Sequence, residues 1–168
     1  MTSLDISDNR LCGYWKTPDF SGYQALVAAI EAHKLLTMDA VNMAEELDVS
    51  GQNLGVKGAK TMAIFIQNNG AMAKLDIANN SIGVNGLKAL AEALQDNKTL
   101  TELNVASNNV TNAMDSTGNT SMSGVGALAN AIPTIGALTS LNVSNNRIGY
   151  RGNMSGVEAL AAAIPECR

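Results

Sequence analysis

The chain has 168 residues, of which 46% are hydrophobic and 15% charged, a balance that excludes a disordered polypeptide and allows one domain with its own core. Its formal net charge of −4 argues against a nucleic-acid partner, because phosphate-binding surfaces need clustered Lys and Arg. Cys12 and Cys167 are too few for a disulfide framework, and no secretory leader or membrane-length apolar run is visible. These features predict a cytoplasmic, intracellular protein without a membrane span.

A short pattern recurs along the chain. Its form is L-x-x-L-x-Φ-x-x-N-x-Φ, with Φ aliphatic, and it occurs at residues 1–11, 72–82, 100–110 and 138–148, with a weaker copy at 44–54. We number the five copies as units 1 to 5 by their second leucine, which falls at Leu4, Leu47, Leu75, Leu103 and Leu141. Those leucines are 43, 28, 28 and 38 residues apart, so the base period is 28.

Each copy of the pattern predicts a short strand followed by a turn. Apolar side chains at every second position are typical of a strand with one buried face. The asparagine that follows can both donate and accept, so it is predicted to satisfy backbone groups of the turn. The asparagines at this position are Asn9, Asn80, Asn108 and Asn146. Gln52 replaces the asparagine in unit 2, where we expect an altered turn.

The second half of each unit predicts a helix. In unit 3, Leu87, Leu90, Ala91 and Leu94 have the spacing of one helix face, and the same column recurs in the other units. A glycine precedes each column, as Gly86 does here, and marks the expected start of the helix. One strand and one helix per unit predict an α/β solenoid with a parallel sheet, since no unit can bury its apolar face alone.

The repeated pattern resembles the leucine-rich repeat proteins of the ribonuclease-inhibitor-like class, whose units have about this length and carry a full helix. The resemblance implies a horseshoe of about five units, with a concave parallel sheet and outer helices. It further implies a curved surface that binds other proteins. No cofactor is expected. We expect residues 1–168 to form one such domain, as a short array or a segment of a longer one.

The connection from the turn to the helix glycine is longer in units 1, 4 and 5 than in units 2 and 3. These insertions should emerge on one rim of the solenoid, and insertions clustered on one face often bind partners. The insertion in unit 1 concentrates aromatic residues, among them Tyr14, Trp15 and Phe20. They are predicted either to anchor a partner or to fold back as a cap over the first unit.

The exposed strand positions form an acidic column. It is expected to contain Asp5, Asp48, Asp76, Asn104 and Asn142, with Asp8, Glu45, Glu46 and Glu102 beside it and Lys74 as the one base. Neighbouring aspartates repel, so their pKa values should rise unless a cation or basic side chain lies between them. We expect this face either to dock a basic partner segment or hold a cation, or to be a solvated polar ladder. No closed set of metal ligands is apparent.

No nucleophile–base pair, metal triad or phosphate loop is recognisable, which predicts a protein that is not an enzyme. The expected function is a protein–protein interaction module or scaffold that uses the concave face and the rim loops. Two alternatives are open. One is a GTPase-activator-like or actin-capping-like regulator, and the other is an architectural subunit of a large complex.

Overall fold

The computed structural model describes residues 45–111 and 121–164, which contain units 2 to 5. Predictions about Asp5, Asn9, Tyr14, Trp15 and Phe20 lie outside the described residues. The strands are β1 (Glu46–Asp48), β2 (Lys74–Asp76), β3 (Glu102–Asn104) and β4 (Ser140–Asn142). The α-helices are α1 (Gly55–Asn68), α2 (Gly83–Leu94), α3 (Ser123–Ala131) and α4 (Ser155–Ala163). Two short 3-10 helices lie at Ile132–Thr134 and Tyr150–Gly152.

The four strands form one parallel sheet in the order β1-β2-β3-β4. The register places the second leucine of each unit opposite that of the next, so Leu47, Leu75, Leu103 and Leu141 form one row. A helix follows every strand, and each helix packs on the helix of the next unit. The predicted α/β solenoid of leucine-rich strand–helix units is therefore confirmed.

The core lies between the sheet and the helices. Leu75 and Leu103 are each 2% exposed, and the predicted helix column of unit 3 is buried throughout. The same column is buried in α1 and α3, where Ala59 and Val125 have no exposed surface. In α4 the column is open, since Ile164 at its end is 65% exposed.

The glycine column has a different role from the predicted one. In the two regular units the helix begins three residues earlier, at Gly55 and Gly83, both of which have a positive φ. Gly86 lies inside the first turn of α2, where a Cβ would be 2.8 Å from Ile82 Cβ and 2.9 Å from Ala59 Cβ. Glycine is required there because neighbouring helices approach closely, and it does not mark the helix start.

The turn asparagine of unit 4 joins two units. Asn108 Nδ2 donates to the carbonyl of Ile77 in unit 3 at 2.8 Å, and to those of Val105 and Ala106 in its own unit at 3.1 Å. Its Oδ1 accepts the backbone N–H of Asn80 at 2.9 Å. One buried amide thus closes its own turn and fixes the register with the preceding unit.

The same arrangement recurs at the other turn asparagines. Asn80 donates to the carbonyl of Val49 and Asn146 donates to that of Val105, both at 2.8 Å. Asn146 Oδ1 accepts the N–H of Asn108 at 2.7 Å. The hydrogen bonds of these side-chain amides therefore connect unit 2 to unit 5 without a break through the interior.

The alteration expected in the turn at Gln52 affects the side chain and leaves the backbone conformation unchanged. Gly51 and Asn53 have φ values of 68° and 55°, matching the left-handed residues that flank Asn80. Gln52 itself is exposed, and its Nε2 donates to the carbonyl of Ser50 at 3.2 Å. The turn of unit 2 thus keeps the backbone conformation of the other turns, although it contributes no buried side-chain amide.

We predict that Asn108→Ala lowers the free energy of unfolding by about 3 kcal/mol or more, because each buried group left without a hydrogen bond costs roughly 1–3 kcal/mol. Gln52→Ala is the matched control, since it removes an exposed amide at the same position of the pattern, and should change stability by at most about 0.5 kcal/mol. Urea unfolding followed by circular dichroism measures both. Equal losses for the two variants would contradict a structural role for the buried amide.

Candidate functional site: the concave face

The concave face is built by the outward-pointing residues of the four strands. Because side chains alternate along a strand, the residues on either side of each buried leucine point to the concave face. The parallel register then aligns them into two columns. The first contains Glu46, Lys74, Glu102 and Ser140, and the second contains Asp48, Asp76, Asn104 and Asn142.

In the first column, Lys74 lies between two glutamates. Its Nζ is 3.0 Å from Glu46 Oε1 and 3.7 Å from Glu102 Oε1. The hydrogen bond with Glu46, followed by the charge of Glu102, raises the pKa of Lys74 above its ordinary value. The side chains are about half exposed, so these ion pairs contribute little to stability. The two glutamates instead neutralise the positive charge of Lys74 within the column.

In the second column, each side chain caps the turn that leaves its strand. Asp48 Oδ1 accepts the N–H of Ser50 at 2.8 Å, and Asp76 Oδ1 accepts that of Ala78 at 2.9 Å. Asn104 and Asn142 make the same bond two residues along the chain, each at 3.1 Å. Asp and Asn share this side-chain geometry, so the turn requires one of them but does not select their charge.

The pKa of Asp48 departs from the expectation. Ser50 donates hydrogen bonds to this carboxyl from its backbone N–H, which has the larger effect, and from its side chain. Both lower the pKa of Asp48 below its ordinary value of 3.8. The repulsion expected between Asp48 and Asp76 is weaker than this local effect, because hydrogen bonds to the charged form stabilise it. Asp76 is linked instead to the next strand, since its Oδ2 accepts from Asn104 Nδ2 at 2.8 Å.

The two columns line a shallow groove of about 370 Å³ whose floor is the sheet. Of the predicted partner-binding residues, Glu46, Asp48, Asp76 and Glu102 all lie in this groove. Within residues 45–111 and 121–164, no group of three or more His, Cys, Asp or Glu side chains is placed to hold a metal ion. The groove can therefore offer carboxylates to cationic side chains of a partner. The alternative prediction, that this face holds a cation, gains no support from the described residues.

A second exposed cluster lies on the lengthened rim loop of unit 5. Tyr150 is 47% exposed and Met154 is 45% exposed, and the guanidinium of Arg151 is 5.8 Å from the centre of the Tyr150 ring. Arg147 and Arg151 have φ values of 57° and 56°, so these two non-glycine residues are left-handed, as are Gly149 and Gly152 in the same loop. The long connection in unit 5 predicted a rim insertion there, but the pattern did not identify these side chains.

Comparison with known proteins agrees with this architecture. A family model described as Leucine Rich repeat matches residues 72–91, 96–113 and 138–161. The three matched segments lie in units 3, 4 and 5. No curated protein matches the sequence. Among solved structures, "Leiomodin-1 Actin-Binding Site 2 (ABS2)" is similar, with a TM-score of 0.61 and 20% identity, over 77% of this chain and 71% of that one. At that identity the likeness shows the fold alone.

The described helices bear on the prediction that the chain has no membrane span. None of the helices within residues 45–111 and 121–164 combines the length and the apolar character that crossing a membrane requires.

We predict that Asp48 contributes stability that depends on pH. Its folded pKa lies below the unfolded value near 3.8, so the contribution is complete above that value and is lost as the pH falls through the folded pKa. Asp48→Asn keeps the turn-capping oxygen and removes the titration. The difference in unfolding free energy between wild type and Asp48→Asn should be constant near neutral pH and fall as the pH drops toward and below 3.8. A difference that does not change with pH would show that Ser50 does not stabilise the carboxylate.

Proposed function

We propose that this chain is a non-catalytic protein-interaction module whose concave face docks a partner segment rich in Lys and Arg. The observation that carries the proposal is the aligned acidic column of β1 and β2. In this column Asp48 and Asp76 lie side by side in register and face the groove. Two carboxylates one strand apart form a site for a cationic side chain.

The distribution of ion pairs supports this assignment. Lys74 is already paired with Glu46 and Glu102. Among the residues that the structure describes, no Lys or Arg forms an ion pair with Asp48 or Asp76. Their negative charge is therefore available to a partner, and a bound cation would also relieve the repulsion between them.

The rim supports a second contact region. Tyr150 and Arg151 are residue types favoured at the centres of protein interfaces, and both are exposed on the loop of unit 5. We propose that this loop and the aromatic insertion of unit 1 with Tyr14, Trp15 and Phe20 contact the partner beside the concave face. We further propose that the chain is of the ribonuclease-inhibitor-like class and acts in the cytoplasm.

We predict that Asp48→Asn combined with Asp76→Asn weakens binding of a fluorescent peptide carrying four Arg residues about tenfold at low salt, because each exposed charge pair contributes up to about 1 kcal/mol. The asparagines keep both turn caps, as Asn104 and Asn142 already do. Fluorescence anisotropy measures the affinity, and the loss should shrink as salt rises.

The matched control for this experiment is Glu92→Gln combined with Glu158→Gln, which removes two exposed charges from helices α2 and α4. The control should bind the peptide as wild type does, apart from the small effect of net charge. Similar losses in the two double variants would show that the peptide senses only net charge, and unchanged binding in both would refute docking at the concave face.

A second candidate function is binding to actin. It is favoured by one observation, the similarity of the fold to a structure described as an actin-binding site of leiomodin-1. If the chain acts in this way, it should co-sediment with filamentous actin or alter the assembly rate of pyrene-labelled actin at micromolar concentration. Absence of both effects, with the protein folded, would reject this candidate and leave docking of basic segments unaffected.

A further inference from the structure

The groove on the concave face contains a cationic side chain of the chain itself. Among the described residues that line the groove, Lys74 is the one base, and the acids are Glu46, Asp48, Asp76 and Glu102. The register places Lys74 directly opposite Glu46 on β1 and Glu102 on β3. Neighbouring strands are about 4.8 Å apart, so an ammonium that projects from the middle strand can reach a carboxylate on either side.

The pairing of Lys74 divides the groove carboxylates into two classes. Its Nζ lies 3.0 Å from Glu46 and 3.7 Å from Glu102, and these two carboxylates are also the charges that raise its pKa. Among the described residues, neither Asp48 nor Asp76 forms an ion pair. Their printed hydrogen bonds come from neutral backbone and amide groups, which leave the negative charge in place. The glutamates are therefore occupied by a cation, and the aspartates are not.

The fold does not depend on the charge of Lys74. Its side chain is 46% exposed, and those of Glu46 and Glu102 are 67% and 52% exposed, so solvent weakens both ion pairs. The backbone N–H of Lys74 donates to the carbonyl of Glu45, a bond that other residue types would make as well. The charge of this side chain consequently matters more for what the groove binds than for how the sheet is held together.

We infer that Lys74 is a built-in competitor, which occupies Glu46 and Glu102 and confines a docked cationic segment to Asp48 and Asp76. This inference rests on the proposed docking of a segment rich in Lys and Arg. An ammonium attached to β2 is present at a high effective concentration, because it cannot diffuse away from the glutamates. A partner's side chain has to displace it to reach them. Lys74 thus determines how many of the groove carboxylates a partner can use.

The first test replaces Lys74 with glutamine, which keeps a long polar side chain and removes the charge. Lys74→Gln should raise the affinity for the fluorescent peptide with four Arg residues at least about fivefold at low salt, because two more carboxylates become available. The matched control is Lys60→Gln, which removes an exposed lysine from α1 and changes the net charge equally. The control should raise the affinity less than about twofold, and fluorescence anisotropy measures both.

The second test locates the bound peptide and includes the unmodified chain. The carbon-13 chemical shifts of the side-chain carboxyl groups report which of them the peptide contacts. In the wild type, the peptide should shift the signals of Asp48 and Asp76 and leave those of Glu46 and Glu102 unchanged. In Lys74→Gln all four signals should shift. This readout separates competition from simple repulsion by Lys74, because relief of repulsion raises the affinity without new contacts at the glutamates.

The outcomes distinguish this inference from the proposed function. Equal gains in Lys74→Gln and Lys60→Gln, a gain without new shifts at the glutamates, or glutamate shifts in the wild type would each overturn the inference. The proposed function would still stand if the wild type binds and Asp48→Asn with Asp76→Asn weakens binding. Binding by Lys74→Gln but not by the wild type would refute docking at the aspartates and support the competitor. Binding by neither protein would overturn both.

Discussion

The structure depends on one interaction, the buried amide that joins each turn to the unit before it. A parallel strand–helix solenoid brings three backbone turns into its interior, where water cannot satisfy their polar groups. Asn80, Asn108 and Asn146 satisfy them by donating to carbonyls of two units and accepting N–H groups of the preceding one. Stacking is therefore specified by hydrogen bonds as well as by the leucine core.

The concave face is a direct consequence of that register. Because strands pair without offset, the residue after each second leucine falls into one column, and there it also caps the turn. Asp and Asn serve equally as caps, so the charge of the column can vary between units without a change of fold. Asp48 and Asp76 make the first half acidic, whereas Asn104 and Asn142 make the second half neutral.

The groove and the rim loop of unit 5 differ in their chemistry. The groove presents carboxylates and is open to solvent, so its contacts should be sensitive to salt and contribute mainly to specificity. The rim loop presents exposed Tyr150 and Arg151, which are residue types favoured at the centres of protein interfaces.

The sequence was sufficient to predict the units, the strand row from Leu47 to Leu141, the helix columns that are buried in α1 to α3, and the alignment of Asp48 with Asp76. Periods of 28 and of two residues translate directly into position. The identity of the rim side chains at Tyr150 and Arg151 was not predicted, since irregular loops carry no period. Two findings required the three-dimensional structure: the close approach that excludes a side chain at Gly86, and the hydrogen bonds from Ser50 that outweigh repulsion at Asp48. Each of these depends on distances between atoms of different residues, which spacing along the chain does not specify.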